Sequence, residues 1–172
     1  MELIIGENNR TLRQKSLSVK HIDSEARSLI EQMKEIMSQN NGVGLAAIQI
    51  GVPLRIIICQ IDDKNLAFGE NLVSHFVRNK FYALINPEIT KFFPETSIME
   101  EGCLSLPNIY GEVERPEKIT VKAINFDGKK IKLKAFGLLA RVIQHEIDHL
   151  DGILFVDKAK NIKKEPRKAT AL

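Results

Sequence analysis

From Asp23 onward, apolar residues fall at Ala26, Leu29, Ile30, Met33, Ile36 and Met37. Steps of three and four return side chains to one face of an α-helix, so this spacing predicts an amphipathic helix. Asp23 or Ser24 supplies its N-cap, and Asn40-Asn41-Gly42 ends it. Further on the period changes. Ile56 to Ile61 and Phe81 to Ile85 read as strands, while Ile119-Val121-Ala123 and Ile131-Leu133-Ala135 alternate with lysines on either side of Asp127-Gly128. That alternation across a turn dipeptide predicts a half-exposed hairpin. A second helix runs from Gly137 or Leu138 to about Leu150, with Gly152 just past its end. Antiparallel strands with two segregated helices indicate a single α+β domain rather than a doubly wound sheet. No repeat or linker divides the chain.

The second helix carries the candidate chemistry. At about 100° per residue, Leu138, Val142, His145 and His149 share one stripe, and Leu139, Ile143, Ile147 and Leu150 form an apolar second one. Arg141, Gln144, Asp148 and Asp151 fill the remaining arc, which is expected to face solvent. Both histidines therefore point inward. They lie in His145-Glu146-Ile147-Asp148-His149, the H-E-x-x-H pattern, in which two imidazoles one turn apart reach the same ion with a carboxylate alongside. Two helical histidines can equally be ordinary surface or core residues, and the inward stripe is what favours the metal reading. A catalytic ion takes three protein ligands and an open position. For the third, His21 and His75 stand in polar surroundings, whereas Cys103 lies in Glu101-Gly102-Cys103-Leu104-Ser105, where Gly102 permits close approach of a ligand or another backbone. Cys103 also admits a bland reading as a buried thiol like Cys59, which sits in the aliphatic run Arg55 to Ile61.

Composition narrows the class. With 172 residues, 44% of them hydrophobic, the chain can bury one core without disulfides, and two cysteines in unlike settings suggest a reducing compartment. Apolar runs fall far short of the roughly 20 residues a membrane span needs, so a cytoplasmic protein that does not enter membranes is expected. The net charge of +3 is uneven, since Lys158, Lys160, Lys163, Lys164, Arg167 and Lys168 oppose only Glu165 near the C-terminus. The body before them is slightly acidic and does not read as a basic nucleic-acid-binding domain, so no DNA partner is expected. Residues 158–172 are thus expected to form a basic tail on a catalytic domain of residues 1–157. The tail is read as a solvated, frayed end, or else as a weak electrostatic contact with RNA.

Three segments, Gly42-Val43-Gly44-Leu45-Ala46-Ala47-Ile48-Gln49, Glu101-Gly102-Cys103-Leu104-Ser105 and Gln144-His145-Glu146-Ile147-Asp148-His149, resemble the three signature motifs of the peptide deformylases, in the family's order. The likeness extends from about Leu12 to Lys158. It implies an α+β fold of mixed strands around the histidine helix, and hydrolysis of the N-formyl group from formyl-methionyl nascent peptides. It further implies Cys103, His145 and His149 as ligands of one divalent ion, Fe(II) with Ni, Co or Zn able to substitute. Glu146 becomes the acid/base, and the Gln49 amide and Leu104 N–H hold the formyl oxygen. Gly44 would line the substrate groove, with Val43, Met99, Gly102, Leu138 and Val142 as candidates around the methionine side chain, although each could be ordinary core. Glu101 is read either as the group orienting a ligating histidine or as an ion-pair carboxylate. Two features depart from the family pattern: a long connection from Gln49 to Cys103, with extra material in Asp62 to Lys80, and Pro166 where some members carry a helix that docks on the ribosome. A zinc peptidase would share H-E-x-x-H but takes a downstream His or Glu ligand, and no histidine follows His149. A structural site would want four protein ligands.

Overall fold

The computed structural model describes residues 1–61 and 80–166. His75, Arg167, Lys168 and nearly all of the expected extra segment lie outside the described residues. Helix α1 (Ser24–Gln39) begins where the cap predicted, with Asp23 Oδ1 accepting from the Ala26 N–H at 2.9 Å. It stops at Asn40, after which Asn41 takes a left-handed φ of 54°, a conformation asparagine tolerates. All six periodic apolar residues are buried.

A five-stranded antiparallel sheet comprises β1 (Gly44–Ala46), β2 (Ile56–Ile61), β3 (Lys80–Phe92), β6 (Lys118–Ile124) and β7 (Lys130–Phe136), in the order β1-β2-β3-β6-β7. A three-stranded sheet joins β4 (Thr96–Cys103), β5 (Leu106–Pro116) and β8 (Lys160–Lys164), in the order β4-β5-β8. Between them, helix α2 (Gly137–Leu150) packs on β1 and β2 on one side and reaches β5 on the other. Its Leu139, Ala140, Val142, Ile143, Ile147 and Leu150 join Ile57, Leu84, Ile119, Val121 and Ala135 in the main core. The α+β class is as expected, and the β6–β7 hairpin has the predicted alternation. Among the described residues no helix is long and apolar enough to cross a membrane.

Two expectations are corrected. Arg141 and Gln144 do not face solvent; they are 3% and 5% exposed. Arg141 donates to the backbone carbonyls of Val113 and Ser97 and to Glu101 Oε1, and Gln144 Nε2 to the carbonyls of Pro116 and Ala140, each within 3.0 Å. The polar arc of α2 is covered by β4 and β5, whose carbonyls supply the partners that buried polar groups require. Asp148 is also largely covered, and only Asp151 on that arc is exposed. The second correction concerns the basic tail. Lys160–Lys164 is not frayed; it pairs antiparallel with β5, placing Ile109 opposite Lys164 and Tyr110 opposite Lys163.

The core and the cap differ enough in energy to test this arrangement. Replacing the fully buried Ile57 with Ala should cost about 2 to 5 kcal/mol, whereas Asp23→Ala should cost only about 1 kcal/mol. Urea denaturation of the two variants checks both values, and a reversed order would contradict the packing described.

Candidate active site

Helix geometry sets His145 and His149 one turn apart, with ring centres separated by 5.0 Å and planes at 75°. Cys103 ends β4 at the turn into β5 and brings its Sγ to 3.2 Å from His149 Nε2. One ligand atom from each of Cys103, His145 and His149 lies within 4.8 Å of the others, and all three residues are buried. Phe155 stacks on the His145 ring, with centres 6.1 Å apart.

Several buried polar atoms here have no hydrogen-bond partner: His145 Nε2, His149 Nδ1 and both carboxylate oxygens of Glu146. Leaving a buried polar group unsatisfied costs about 1 to 3 kcal/mol, so a cluster of them marks a place built for something else. Tetrahedral donors at about 2.0 to 2.3 Å from a shared ion stand roughly 3.5 Å apart, and Cys103 Sγ and His149 Nε2 are 3.2 Å apart in a set that spans no more than 4.8 Å. One sulfur and two imidazole nitrogens, with an unpartnered carboxylate beside them, fit a divalent ion. The protonation states agree. Burial, reinforced by the charges of His145 and Arg115, holds His149 well below the usual histidine range, so it is the neutral imidazole a metal needs. Burial and then the Glu146 charge push the Cys103 thiol up to about 12; a bound cation reverses that balance, because a coordinating thiol is deprotonated outright.

Around the donors lies a buried ionic cluster. Glu101 Oε2 is 3.0 Å from His145 Nδ1, and the same carboxylate accepts from Arg115 Nε at 2.6 Å, Arg115 Nη2 at 2.9 Å and Arg141 Nη1 at 2.6 Å. Both readings of Glu101, histidine partner and ion-pair carboxylate, therefore hold at once. Arg115 Nη1 continues to Asp148 Oδ2 at 2.8 Å, and Asp148 in turn takes Lys158 at 2.7 Å. Burial alone would raise the Glu101 carboxyl, but hydrogen bonds from Arg115 and His145 and their charges outweigh it and hold the group well below the usual carboxylate range.

The other expected residues divide into two groups. Gln49, on the short 3-10 turn Ala47–Ile50 after β1, reaches the site. Its Oε1 accepts from the Ala46 N–H at 2.8 Å, and its Nε2 donates to Ser105 Oγ at 3.2 Å and lies 3.5 Å from Cys103 Sγ. Gly44 reaches it as well, since a Cβ there would collide with Glu146 Oε1 and come to 2.7 Å from Val142 Cγ1. The space left by the missing side chain is taken by the Glu146 carboxylate. Leu104 follows Cys103 in the turn and packs in the core beside α1. Val43 and Val142 are fully enclosed in the main core, and Leu138 packs against it half-buried. Met99 is half-buried on β4 opposite Val113, and Gly102 accommodates the Tyr110 ring, whose Cε1 would be 2.9 Å from a Cβ. Arg115, Arg141 and Phe155 were not singled out from the sequence. Arg115 sits in Glu112-Val113-Glu114-Arg115, which reads as ordinary charged alternation.

A thiol and two histidines one helical turn apart, flanked by a buried glutamate, are the residue types from which a metallohydrolase can build a donor set and a base. A family model described as polypeptide deformylase matches residues 1–165. Peptide deformylase 2 of Gloeobacter violaceus is 44% identical over 153 residues, covering 89% of this chain and 76% of the relative. The peptide deformylase of Thermomicrobium roseum is 44% identical over 158 residues, covering 92% and 85%. Among solved structures, a peptide deformylase from Ehrlichia chaffeensis superposes with a TM-score of 0.84 at 33% identity, over 94% of this chain and 89% of that one. A peptide deformylase from Synechococcus elongatus in complex with actinonin gives 0.81 at 38% identity, over 94% and 79%. The chain belongs to the polypeptide deformylase family. Its reaction is the metal-dependent removal of the formyl group from the N-terminus of formylated peptides.

Two predictions follow from this geometry. Because the folded Glu101 carboxyl titrates below its unfolded value, its contribution to stability is complete above about pH 4.3 and is lost as pH falls from there towards the folded value. Glu101→Gln should therefore be less stable at neutral pH, by about 3 to 5 kcal/mol for a broken buried pair, and should show a flatter stability curve below about pH 4.3. Chemical denaturation as a function of pH measures both. Gly44→Ala should displace the Glu146 carboxylate and lower kcat by roughly 10²-fold, the scale of an ångström-sized misplacement, with far less effect on unfolding. Unchanged kcat would show that the collision is relieved without moving Glu146.

Proposed function

We propose that deformylation here is performed by Cys103, His145 and His149 as ligands of one divalent ion, Glu146 as acid and base, and Gln49 with the Leu104 N–H as donors to the formyl oxygen. The observation that carries this reading is the convergence of one sulfur and two nitrogens beside a buried carboxylate without a partner. An ion held there would supply hydroxide at neutral pH, since coordination lowers the pKa of water from 15.7 towards about 7.

The remaining work falls to the chain. Glu146 is wholly buried, and burial raises its proton affinity well above that of an ordinary carboxylate, which suits a group that must first take a proton and then release it. It takes a proton from the attacking water and returns one to the nitrogen as the formyl C–N bond breaks, leaving formate and a free N-terminus. Negative charge gathers on the formyl oxygen during attack. The Gln49 Nε2 amide, fixed by the bond from its Oε1 to Ala46, meets that charge with little reorganisation, and losing one such donor costs about 3 kcal/mol in the transition state. Glu101, bonded to His145 Nδ1, would favour the tautomer whose Nε2 is free to ligate an ion held there.

Fe(II) is the ion of this reading, with Ni, Co or Zn able to substitute, as a thiolate beside two imidazoles accommodates each. Val43, Gly44, Met99, Gly102, Leu138 and Val142 are this reading's candidates for the pocket of the methionine side chain, with Val43 and Val142 behind its wall in the core. Residues 1–157 form the catalytic unit, and the basic segment 158–172, anchored through β8, offers a contact to the ribosome in the cytoplasm.

The test separates binding from catalysis. Glu146→Gln should retain one metal per chain and bind a hydroxamate as well as the parent protein does, while formate release from formyl-Met-Ala-Ser falls by about 10⁴-fold, the upper range for a general acid/base. Because the residue acts in the transition state, kcat and kcat/KM should fall together. Near-normal turnover would assign the base elsewhere.

A further inference from the structure

We infer that the outward face of the β6–β7 hairpin is a docking surface for single-stranded RNA, with one base seated in the pocket between Phe93 and Phe136. In the hairpin register Lys122 faces Lys132, Thr120 faces Lys134, Ile124 faces Lys130 and Lys118 faces Phe136. The alternate residues Ile119, Val121, Ala123, Ile131, Leu133 and Ala135 enter the core, so the lysines share the opposite face. On the next strand β3 adds Lys91, opposite Thr120. Lys91, Lys122, Lys130, Lys132 and Lys134 are exposed, and among the described residues none has an ion-pair partner.

Like charges directly opposite one another destabilise a ladder, and Lys122 with Lys132 is such a pair. Glu88 stands across from Lys122 on β3 without forming an ion pair. Lysines on an edge strand do guard it against pairing with another chain. That role accounts for Lys130, Lys132 and Lys134 on β7, but not for Lys91, Lys118 and Lys122 on the strands inside it. A polyanion accounts for all six. Same-face residues repeat every ~6.7 Å along a strand, close to the phosphate spacing of an extended single strand.

At the end of this ladder is a pocket of about 350 Å³ lined by Phe93, Glu95, Glu117, Lys118, Phe136 and Gly137. Lys118 Nζ is 4.2 Å from the Phe93 ring centre and 4.9 Å from that of Phe136, and Lys91 Nζ is 4.5 Å from Phe93. Rings interleaved with lysines are the stacking platform that unpaired bases use. The carboxylates discriminate among polyanions. They would repel an acidic peptide and the headgroups of an anionic lipid layer, but they accept hydrogen bonds from the exocyclic amino group of a base such as cytosine. The pocket's frame is tied down by the Phe93 N–H bonded to the Lys118 carbonyl and the Gly137 N–H to that of Glu117. Gly137 also opens α2, so the pocket lies eight residues, roughly 12 Å of helix, from His145.

The experiment is fluorescence anisotropy of labelled 12-nucleotide cytidylate and uridylate RNA with the full-length, metal-loaded protein over a range of salt. Binding should favour cytidylate, with log Kd changing by about 0.7 per log salt for each phosphate contact. Lys130→Glu/Lys132→Glu/Lys134→Glu should weaken binding at least tenfold and reduce the salt slope by about 2. Phe136→Ala should weaken it several-fold, remove the cytidylate preference and leave the slope alone. Both variants should retain the parent melting temperature and formate release. Parent-like affinity in the triple variant would overturn the inference. So would loss of RNA binding in Lys160→Gln/Lys163→Gln/Lys164→Gln with the hairpin intact, or binding of phosphatidylglycerol vesicles but not RNA.

Discussion

The buried carboxylate of Glu101 ties the small sheet to the histidine helix. It is wholly enclosed, and it joins three elements that are distant in sequence: β4 through its own backbone, β5 through Arg115, and α2 through Arg141 and His145. With Asp148 also paired to Arg115, two positive and two negative groups enter the interior as a nearly neutral set. Such a set is expensive to desolvate, and removing one member is more costly than never having buried it. The small sheet therefore has one favourable position on α2, and that position brings Cys103 to the two histidines. The interaction that locks the sheet to the helix also fixes the orientation of the His145 ring.

The rest of the site follows from how little room is left. Gly44 on β1 has no side chain, and the Glu146 carboxylate fills the space. Gln49 lies on the turn immediately after that strand, held by its own backbone neighbour. A short edge strand and its turn thus set both the proposed base and the proposed oxyanion donor against α2. Desolvation does the electrostatic work: it keeps His149 neutral and raises the proton affinity of Glu146, properties exposed side chains in the same order would lack.

Local features of the fold were legible in the sequence. The period of α1 and its Asp23 cap, the β6–β7 alternation and the inward stripe of His145 and His149 each depend on neighbours within a turn or a hairpin. What depended on distant packing was not legible. A helical wheel registers Arg141 and Gln144 as polar but does not know that β4 and β5 cover them with carbonyl acceptors. Arg115 lies in an alternating charged strand, and nothing nearby signals that its partner is Glu101, fourteen residues back. β8 is a run of lysines whose strand character comes from pairing with β5, and sheet pairing overrides weak local propensity. Net charge is equally blind to placement, because a sum over the chain does not show that Lys122, Lys130, Lys132 and Lys134 share one face of the β6–β7 hairpin.

The central claim is that one sulfur and two imidazole nitrogens from Cys103, His145 and His149 hold a single ion. X-ray absorption spectroscopy of the nickel-loaded protein tests it most directly. The account predicts one sulfur scatterer at about 2.3 Å and two imidazole nitrogens at about 2.0 to 2.1 Å, with the sulfur shell absent in Cys103→Ser. A shell of nitrogen and oxygen alone in the parent protein, or a sulfur signal that persists in Cys103→Ser, would contradict it.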